Sequence, residues 1–236
     1  MVSVSQYNNI VVLTGAGISA ESGLKTFRDH DGLWEGHRVE DVATVEAFLA
    51  KPDFVQDFYN QRRRQLLSAQ VHCNAAHRAL ANFEREFDGS FMLVTQNVDN
   101  LHQRAGSNKL LPMHGELLKA RCTQCNAVSE CRRDLGAQSR CPQCNSQGAL
   151  RPHIVWFGEV PLHMPAIERA LQHCDLFVSI GTSSVVYPAA GFAGLARQAG
   201  AKTVELNLEP GSTASGFDEA HYGPATKVVP DYFEQL

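Results

Sequence analysis

NIVVLTGAGISAESGLKTFRDHDGLW, the stretch from Asn9 to Trp34, decides how the rest of the chain is read. Asn9-Ile10-Val11-Val12-Leu13-Thr14 is an apolar, β-branched run of strand length, and it carries no alternation, which suits a buried strand. Gly15-Ala16-Gly17 then turns the chain, with Ser19, Glu21 and Ser22 placed to cap a helix. The spacing of Gly15, Gly17 and Ala20 is G-x-G-x-x-A, a variant of the dinucleotide fingerprint, and a turn of this kind presents unpaired N–H groups to a phosphate. On the motif alone, a strand-to-helix turn that needs glycine only for its backbone angles stays equally open. Gly23 predicts a very short helix. The segment from Thr26 to Trp34 has neither helical nor strand period, and it sets Phe27, Arg28 and Trp34 against the turn. Such a loop reads as a functional flap, so the site does something other than simple hydride transfer.

The 236 residues allow one large domain or one domain with an insert. A net charge of −4 supplies no general attraction to nucleic acid or to a membrane surface. No apolar run reaches the roughly 20 residues of a membrane helix, and the N-terminus lacks the basic and apolar regions of a signal peptide. The chain is expected to be cytoplasmic, without stable nucleic-acid or membrane partners. Seven cysteines are an odd number, which argues against a disulfide framework.

Along the chain, two helices are expected between Val39 and Leu67. The first shows Val42, Val45, Phe48 and Leu49 on one face and breaks at Lys51-Pro52. The second starts near Asp53 and turns Phe54, Phe58 and Leu66 inward. A third helix is expected from Asn74 to Phe87. Strands are expected near 9–14, 91–95, 110–113, 176–180, 203–206 and 227–229, with helices at 165–174 and 189–199. The segment 151–157 is extended. Apolar strands separated by helices predict an α/β fold, with a parallel sheet covered on both faces. In such sheets ligands collect at the carboxyl ends of the strands. Gly15, Gln96, His114, Gly181 and Asn207 follow successive strands and mark one crevice.

Cys122-x2-Cys125 and Cys141-x2-Cys144 are two knuckles of the kind that share one tetrahedral zinc ion. Four thiolates leave no open coordination position, so the zinc is structural. It folds the polar region 121–145, whose few apolar residues make no core of their own. Cys131 is a weaker alternative ligand. His114 at its strand end suits a general base, while His72, His77, His102 and His173 read as surface or core residues. Gln96-Asn97-Val98-Asp99 fits the binding of an amide, and equally fits Asx-turn chemistry in a loop. Tyr59 and Arg62 share a helix face and together suit a carboxylate, although Arg63 and Arg64 beside them fit a solvated arginine face.

The order of Gly15-Ala16-Gly17-Ile18-Ser19, Thr26-Phe27-Arg28, Gly32-Leu33-Trp34, Gln96-Asn97-Val98-Asp99, His114-Gly115, the paired Cys-x2-Cys, Val155-Trp156-Phe157-Gly158-Glu159, Gly181-Thr182-Ser183 and Glu205-Leu206-Asn207 resembles that of the sirtuins along essentially the whole chain. The resemblance is to bacterial NAD-dependent protein-lysine deacylases. It implies a Rossmann-like parallel sheet with helices on both faces (1–34, 71–117 and 150–236). It also implies a smaller domain made of a helical module (35–70) and a zinc-binding module (118–149). NAD and an acyl-lysine protein substrate meet between them, in a protein expected to be a monomer.

In the chemistry implied by the family, the acyl oxygen attacks the nicotinamide ribose and nicotinamide leaves. A ribose hydroxyl then loses its proton to His114, giving 2′-O-acyl-ADP-ribose and free lysine. Asn97 and Asp99 match the nicotinamide pocket, with Asn97 also a catalytic candidate, and Gln96 matches a ribose contact. Phe27 and Arg28 match the flap. Gly15, Ala16, Gly17, Ser19, Ala20, Glu21, Thr26, Trp34, Val98, Gly181, Thr182, Leu208 and Glu209 fall in the same cofactor-binding segments. Ser183 and Asn207 match adenosine-side contacts, with Ala225 near the adenine. Val155, Phe157, Gly158 and Glu159 match the segment that pairs with the substrate backbone.

Ala20 and the Tyr59/Arg62 pair depart from the deacetylase pattern and resemble the desuccinylase and demalonylase branch. The expected activity is removal of acetyl and succinyl, and also malonyl, groups. The alternatives are a deacetylase with Tyr59 and Arg62 in structural roles, or an NAD-dependent ADP-ribosyltransferase. A zinc-ribbon module for nucleic acid would need a basic surface that Arg132, Arg133 and Arg140 do not supply.

Overall fold

The computed structural model describes residues 7–24, 34, 36–211 and 216–236. Strand β1 is Asn9–Thr14, and its successive side chains face opposite sides of a sheet. Ile10 and Val12 enter one apolar cluster, Val11 and Leu13 another, which is why the run has no polar alternation. Five further strands complete a parallel sheet: β2 (Ser90–Thr95), β3 (Leu110–Pro112), β7 (Leu176–Ile180), β8 (Lys202–Asn207) and β9 (Glu219–Tyr222). Their spatial order is β3-β2-β1-β7-β8-β9. The chain leaves β1 toward β2 and later returns to β7 on its other side. The order therefore reverses between β1 and β7, where a crevice opens at the carboxyl ends.

A smaller antiparallel sheet, in the order β5-β4-β6, holds β4 (Gly115–Cys122), β5 (Val128–Glu130) and β6 (Leu150–Ile154). Strands β4, β5 and β9 were not expected from the sequence. They are short or polar, and β4 changes register between Glu116 and Ala120, so none shows a clean period.

Helices α1 (Val39–Val42), α2 (Val45–Ala50) and α3 (Pro52–Leu66) pack with β4 and β6 around Val42, Phe58, Leu117, Ile154 and Trp156. Three helices therefore stand where two were expected. Thr44 caps α2 by accepting from the Ala47 N–H, which splits the first one. Leu49 (75% exposed) and Phe54 (42%) face outward, contrary to the expected faces: α2 is only six residues long, and Phe54 packs edge-on against His37. The arginine run does not form one solvated face. Arg63 is buried and donates to Leu117 O and Asn60 Oδ1, while Arg64 pairs with Asp134 at the surface.

Helix α4 (Ala75–Glu86) is closed by a capping box between Asn74 and His77. The short α5 (Leu101–Ala105) follows β2, and α6 (Met164–Leu171) and α7 (Phe192–Gln198) cover the sheet face of Val11 and Leu13. Helix α8 (Ala225–Phe233) joins α4 on the other face. It corrects the strand expected near 227–229: Val229 and Phe233, four apart, are the buried pair. A short apolar run does not by itself distinguish a helix from a strand. Among the described residues no helix is long and apolar enough to cross a membrane.

Candidate active site

At the switch point, Ala16–Ser22 forms a short 3₁₀ turn that ends at Gly23, whose φ is +86°. Its N-cap is Gly15, with no side-chain cap, so the capping expected of Ser19, Glu21 and Ser22 is absent. The N–H groups also differ from expectation. Gly15 donates to Ile180 O, Gly17 to Gly181 O and Ile18 to Gly15 O, so these three are committed within the protein. The glycines serve backbone contact between two loops: a Cβ on Gly17 would lie 2.7 Å from Gly181 Cα, and one on Gly181 only 2.6 Å from Ile18 N.

Behind this turn lies a buried polar network. Asn97 Nδ2 donates to Gly15 O (3.0 Å) and Ser19 Oγ (3.3 Å), and Ser19 Oγ donates to Asp99 Oδ2 (3.0 Å). Carbonyl and hydroxyl acceptors fix the Asn97 amide with its Oδ1 free of that contact. Ser19 also reaches His77 Nε2 (3.4 Å), and Thr14 joins Thr95 to His102. Desolvation raises the pKa of Asp99, against bonds from Leu101 N–H and Ser19. His77 and His102 are buried, as the core reading allowed, and burial lowers both pKa values, that of His77 to about 4.

His114 stands just beyond β3. Its Nδ1 lies 3.0 Å from Gln96 O, and a carbonyl only accepts, so Nδ1 carries the proton. Nε2 is left with its lone pair. Burial lowers the His114 pKa, partly countered by the Gln96 bond, which keeps the ring neutral and able to take a proton. Gly115, at φ +83°, follows directly. A Cβ there would lie 2.1 Å from His153 O, so only glycine lets β6 run this close to the histidine.

One cavity of about 860 Å³ collects these groups, a volume in the range of small-molecule sites. Its wall includes all five strand-end residues, Gly15, Gln96, His114, Gly181 and Asn207. Ala16, Gly17, Ser19, Ala20, Glu21, Trp34, Asn97, Val98, Asp99, Thr182, Ser183, Leu208, Glu209 and Ala225 also line it, as do Tyr59, Arg62, Val155, Phe157, Gly158 and Glu159. Thr26, Phe27 and Arg28 lie outside the described residues.

Some of these side chains have structural partners. Glu21 accepts from Thr226 N–H (2.9 Å) and Oγ1 (2.7 Å) in the first turn of α8, where a carboxylate complements the helix dipole. Asn207 Nδ2 donates to Thr182 O and ties β8 to the loop after β7. Glu159 accepts from Arg151 Nη1 (2.8 Å), Arg151 Nη2 (2.9 Å) and Trp156 N–H (2.9 Å), so its carboxylate shapes the 155–159 segment. Arg151 holds the Glu159 pKa below the usual range, against desolvation.

Leu24, Ala43, Trp156, Val186, Tyr187 and Val228 line the cavity without having been singled out from the sequence. Apolar wall residues carry no local signal. Trp156 had one, because a buried indole N–H needs an acceptor.

The four cysteines Cys122, Cys125, Cys141 and Cys144 bring their sulfurs within 4.8 Å of one another. Two of the separations are 3.7 Å, close to the roughly 3.8 Å edge of a tetrahedron with ~2.3 Å zinc–sulfur bonds. The knuckles repeat each other: Asn126 and Asn145 both take positive φ, and both donate N–H to the first cysteine's carbonyl. The donor set fits zinc and leaves no site for substrate. Cys131 is not in the cluster; its Sγ donates to Arg133 O. Contrary to expectation the module does have a small core, because Cys122, Cys131 and Cys141 pack with Leu135 and Leu150.

Comparison with known proteins places these features together. The pattern of the Sir2 family matches residues 15–188. A protein of Pasteurella multocida (strain Pm70), named NAD-dependent protein deacylase, is 58% identical over 96% of this chain and 97% of its own. The solved structure of a Sir2 homolog–NAD complex is similar at TM-score 0.88 and 36% identity, covering 98% of this chain and 90% of that one. A structure of Sir2 bound to acetylated peptide is similar at TM-score 0.82 and 27% identity, covering 98% and 94%.

Proposed function

The chain belongs to the Sir2 family, and on that premise we propose that it removes both acetyl groups and carboxylated acyl groups, succinyl and malonyl, from protein lysines. It is an NAD-dependent protein deacylase with a structural zinc site. The observation that carries the finer reading is that His114, with its free Nε2 lone pair, shares one cavity with Tyr59 and Arg62.

When bound, NAD supplies the ribose carbon from which nicotinamide leaves and which the acyl oxygen joins. The protein's own groups do the rest. Asn97, through the Oδ1 its own bonds leave free, and Asp99, through its carboxylate, accept from the NH2 of the nicotinamide amide. His114 Nε2 takes a proton from a ribose hydroxyl, whose oxygen bonds the acyl carbon as the bond from that carbon to the lysine nitrogen breaks. With one water consumed, the products are nicotinamide, 2′-O-acyl-ADP-ribose and free lysine. The 155–159 segment pairs with the substrate backbone. Arg62, four residues from the end of α3 and beside Phe58, faces the distal carboxylate of a succinyl chain with Tyr59.

Arg62→Met tests the pair. Losing a charged hydrogen bond should lower the succinyl-to-acetyl ratio of kcat/KM about 10- to 100-fold, read on peptides of one sequence with nicotinamide release followed in parallel. Equal losses on both substrates would mean that Tyr59 and Arg62 are structural and the enzyme mainly a deacetylase. The bond that Tyr59 receives from Trp156 favours that second reading in part, since it gives the hydroxyl a role inside the protein.

A further inference from the structure

Trp156 is buried, and its Nε1 donates a 2.8 Å hydrogen bond to the Tyr59 hydroxyl. An indole N–H only donates, so the Tyr59 oxygen meets it with a lone pair and the phenolic proton must lie on another side. Among the described residues the Tyr59 hydroxyl makes no other hydrogen bond. Tyr59 lines the cavity one helical turn before Arg62, which lines it too. Tyr59 is fully buried at the cavity wall, so a bound carboxylate meets this O–H only where it displaces that wall.

The indole is itself held. The Arg151 guanidinium stacks 3.5 Å over its ring, and Glu159 grips both the Arg151 guanidinium and the Trp156 backbone N–H. Phe48 packs at 5.1 Å. Arg151 belongs to β6, so the donor that meets Tyr59 is anchored to the small sheet and not to α3.

We propose that Trp156 is a positioning residue for acyl specificity: its indole N–H turns the Tyr59 hydroxyl so that the O–H donates to the distal carboxylate of a succinyl- or malonyl-lysine beside Arg62. This rests on the carboxylate-binding reading of Tyr59 and Arg62. A rotor fixed before binding loses less freedom when the carboxylate arrives, and the gain falls on carboxylated acyl groups alone. Burial raises the Tyr59 pKa, so the phenol stays a donor throughout the working range. An acetyl group has no carboxylate and takes nothing from this bond.

The test measures kcat and KM on acetyl- and succinyl-lysine peptides for the full chain and for Trp156→Phe, Tyr59→Phe, their double variant and Arg62→Met. Trp156→Phe is expected to raise KM for succinyl-lysine selectively and to lower the succinyl-to-acetyl ratio of kcat/KM about 3- to 10-fold. In the Tyr59→Phe background the same change should no longer move that ratio. Equal loss on both substrates, or a ratio shift that persists without the Tyr59 hydroxyl, overturns the proposal. If Arg62→Met is selective while Trp156→Phe is not, only the role of Trp156 fails; if Arg62→Met is not selective either, the carboxylate-binding reading fails with it. Should Trp156→Phe not fold by circular dichroism, 3-benzothienylalanine at position 156 keeps the ring shape, deletes only the N–H, and is read by the same ratio.

Discussion

At the scale of single residues, the cavity wall is backed by imidazoles in opposite circumstances. His114 keeps a free nitrogen toward the cavity, whereas His77 and His102 are enclosed, their rings 4.8 Å apart. Burial pushes the His77 pKa down to about 4, from an ordinary value near 6.5. The folded value lies below the unfolded one, so the unfolded chain binds more protons as the pH falls. The stabilisation is present above about pH 6.5 and is lost between there and pH 4. His77→Gln, which keeps the side chain at the third position of the capping box, should shrink the stability difference between pH 7 and pH 4.5 by about 2 kcal/mol. Urea midpoints at the two pH values measure it, and an undiminished acid loss in the variant would assign the effect elsewhere.

Among elements, the turn after β1 and the loop after β7 form one unit through Gly17 and Gly181. A side chain at 181 meets both a positive φ of 59° and a 2.6 Å contact with Ile18 N. Gly181→Ala should therefore separate the two loops, costing several kcal/mol of stability and weakening NAD binding more than tenfold. Calorimetric titration and thermal melting measure both, and wild-type affinity in the variant would show that the loops tolerate separation. The G-x-G-x-x-A spacing was legible at this scale, but its reason was not. Three N–H groups thought to await a phosphate are spent on the protein: those of Gly15 and Gly17 on Ile180 O and Gly181 O, more than 150 residues away in sequence, and that of Ile18 on Gly15 O within the turn. The apolar segment at 227–229 failed for a related reason: three residues satisfy either period, and only packing against α4 made them helical.

For the whole molecule, the small sheet links the four-cysteine cluster to the cavity wall. Cys122 ends β4 opposite Leu150 of β6, and β6 carries Arg151, which holds Trp156. Removing zinc with a chelator should strip amide-exchange protection from β4, β5 and β6 and abolish deacylation, while β1, β2 and β7 stay protected. Restored zinc should restore both. Protection of β4 that survives chelation would show that the knuckles fold without metal.

What the sequence determined by itself is whatever lies within a few residues. The unbroken apolar runs require a sheet buried on both faces, the Cys-x2-Cys spacings bring four sulfurs together, and polar strand ends mark the crevice. The tertiary structure alone decided which wall residues are held, and by what. Trp156 meets Tyr59 across 97 positions, Glu21 meets Thr226 across 205, and Asn97 reaches back to Gly15 across 82. Periodicity and ligand spacing are local properties of a chain. A hydrogen bond between distant residues exists only once loop closure has placed both partners, and no local pattern encodes it.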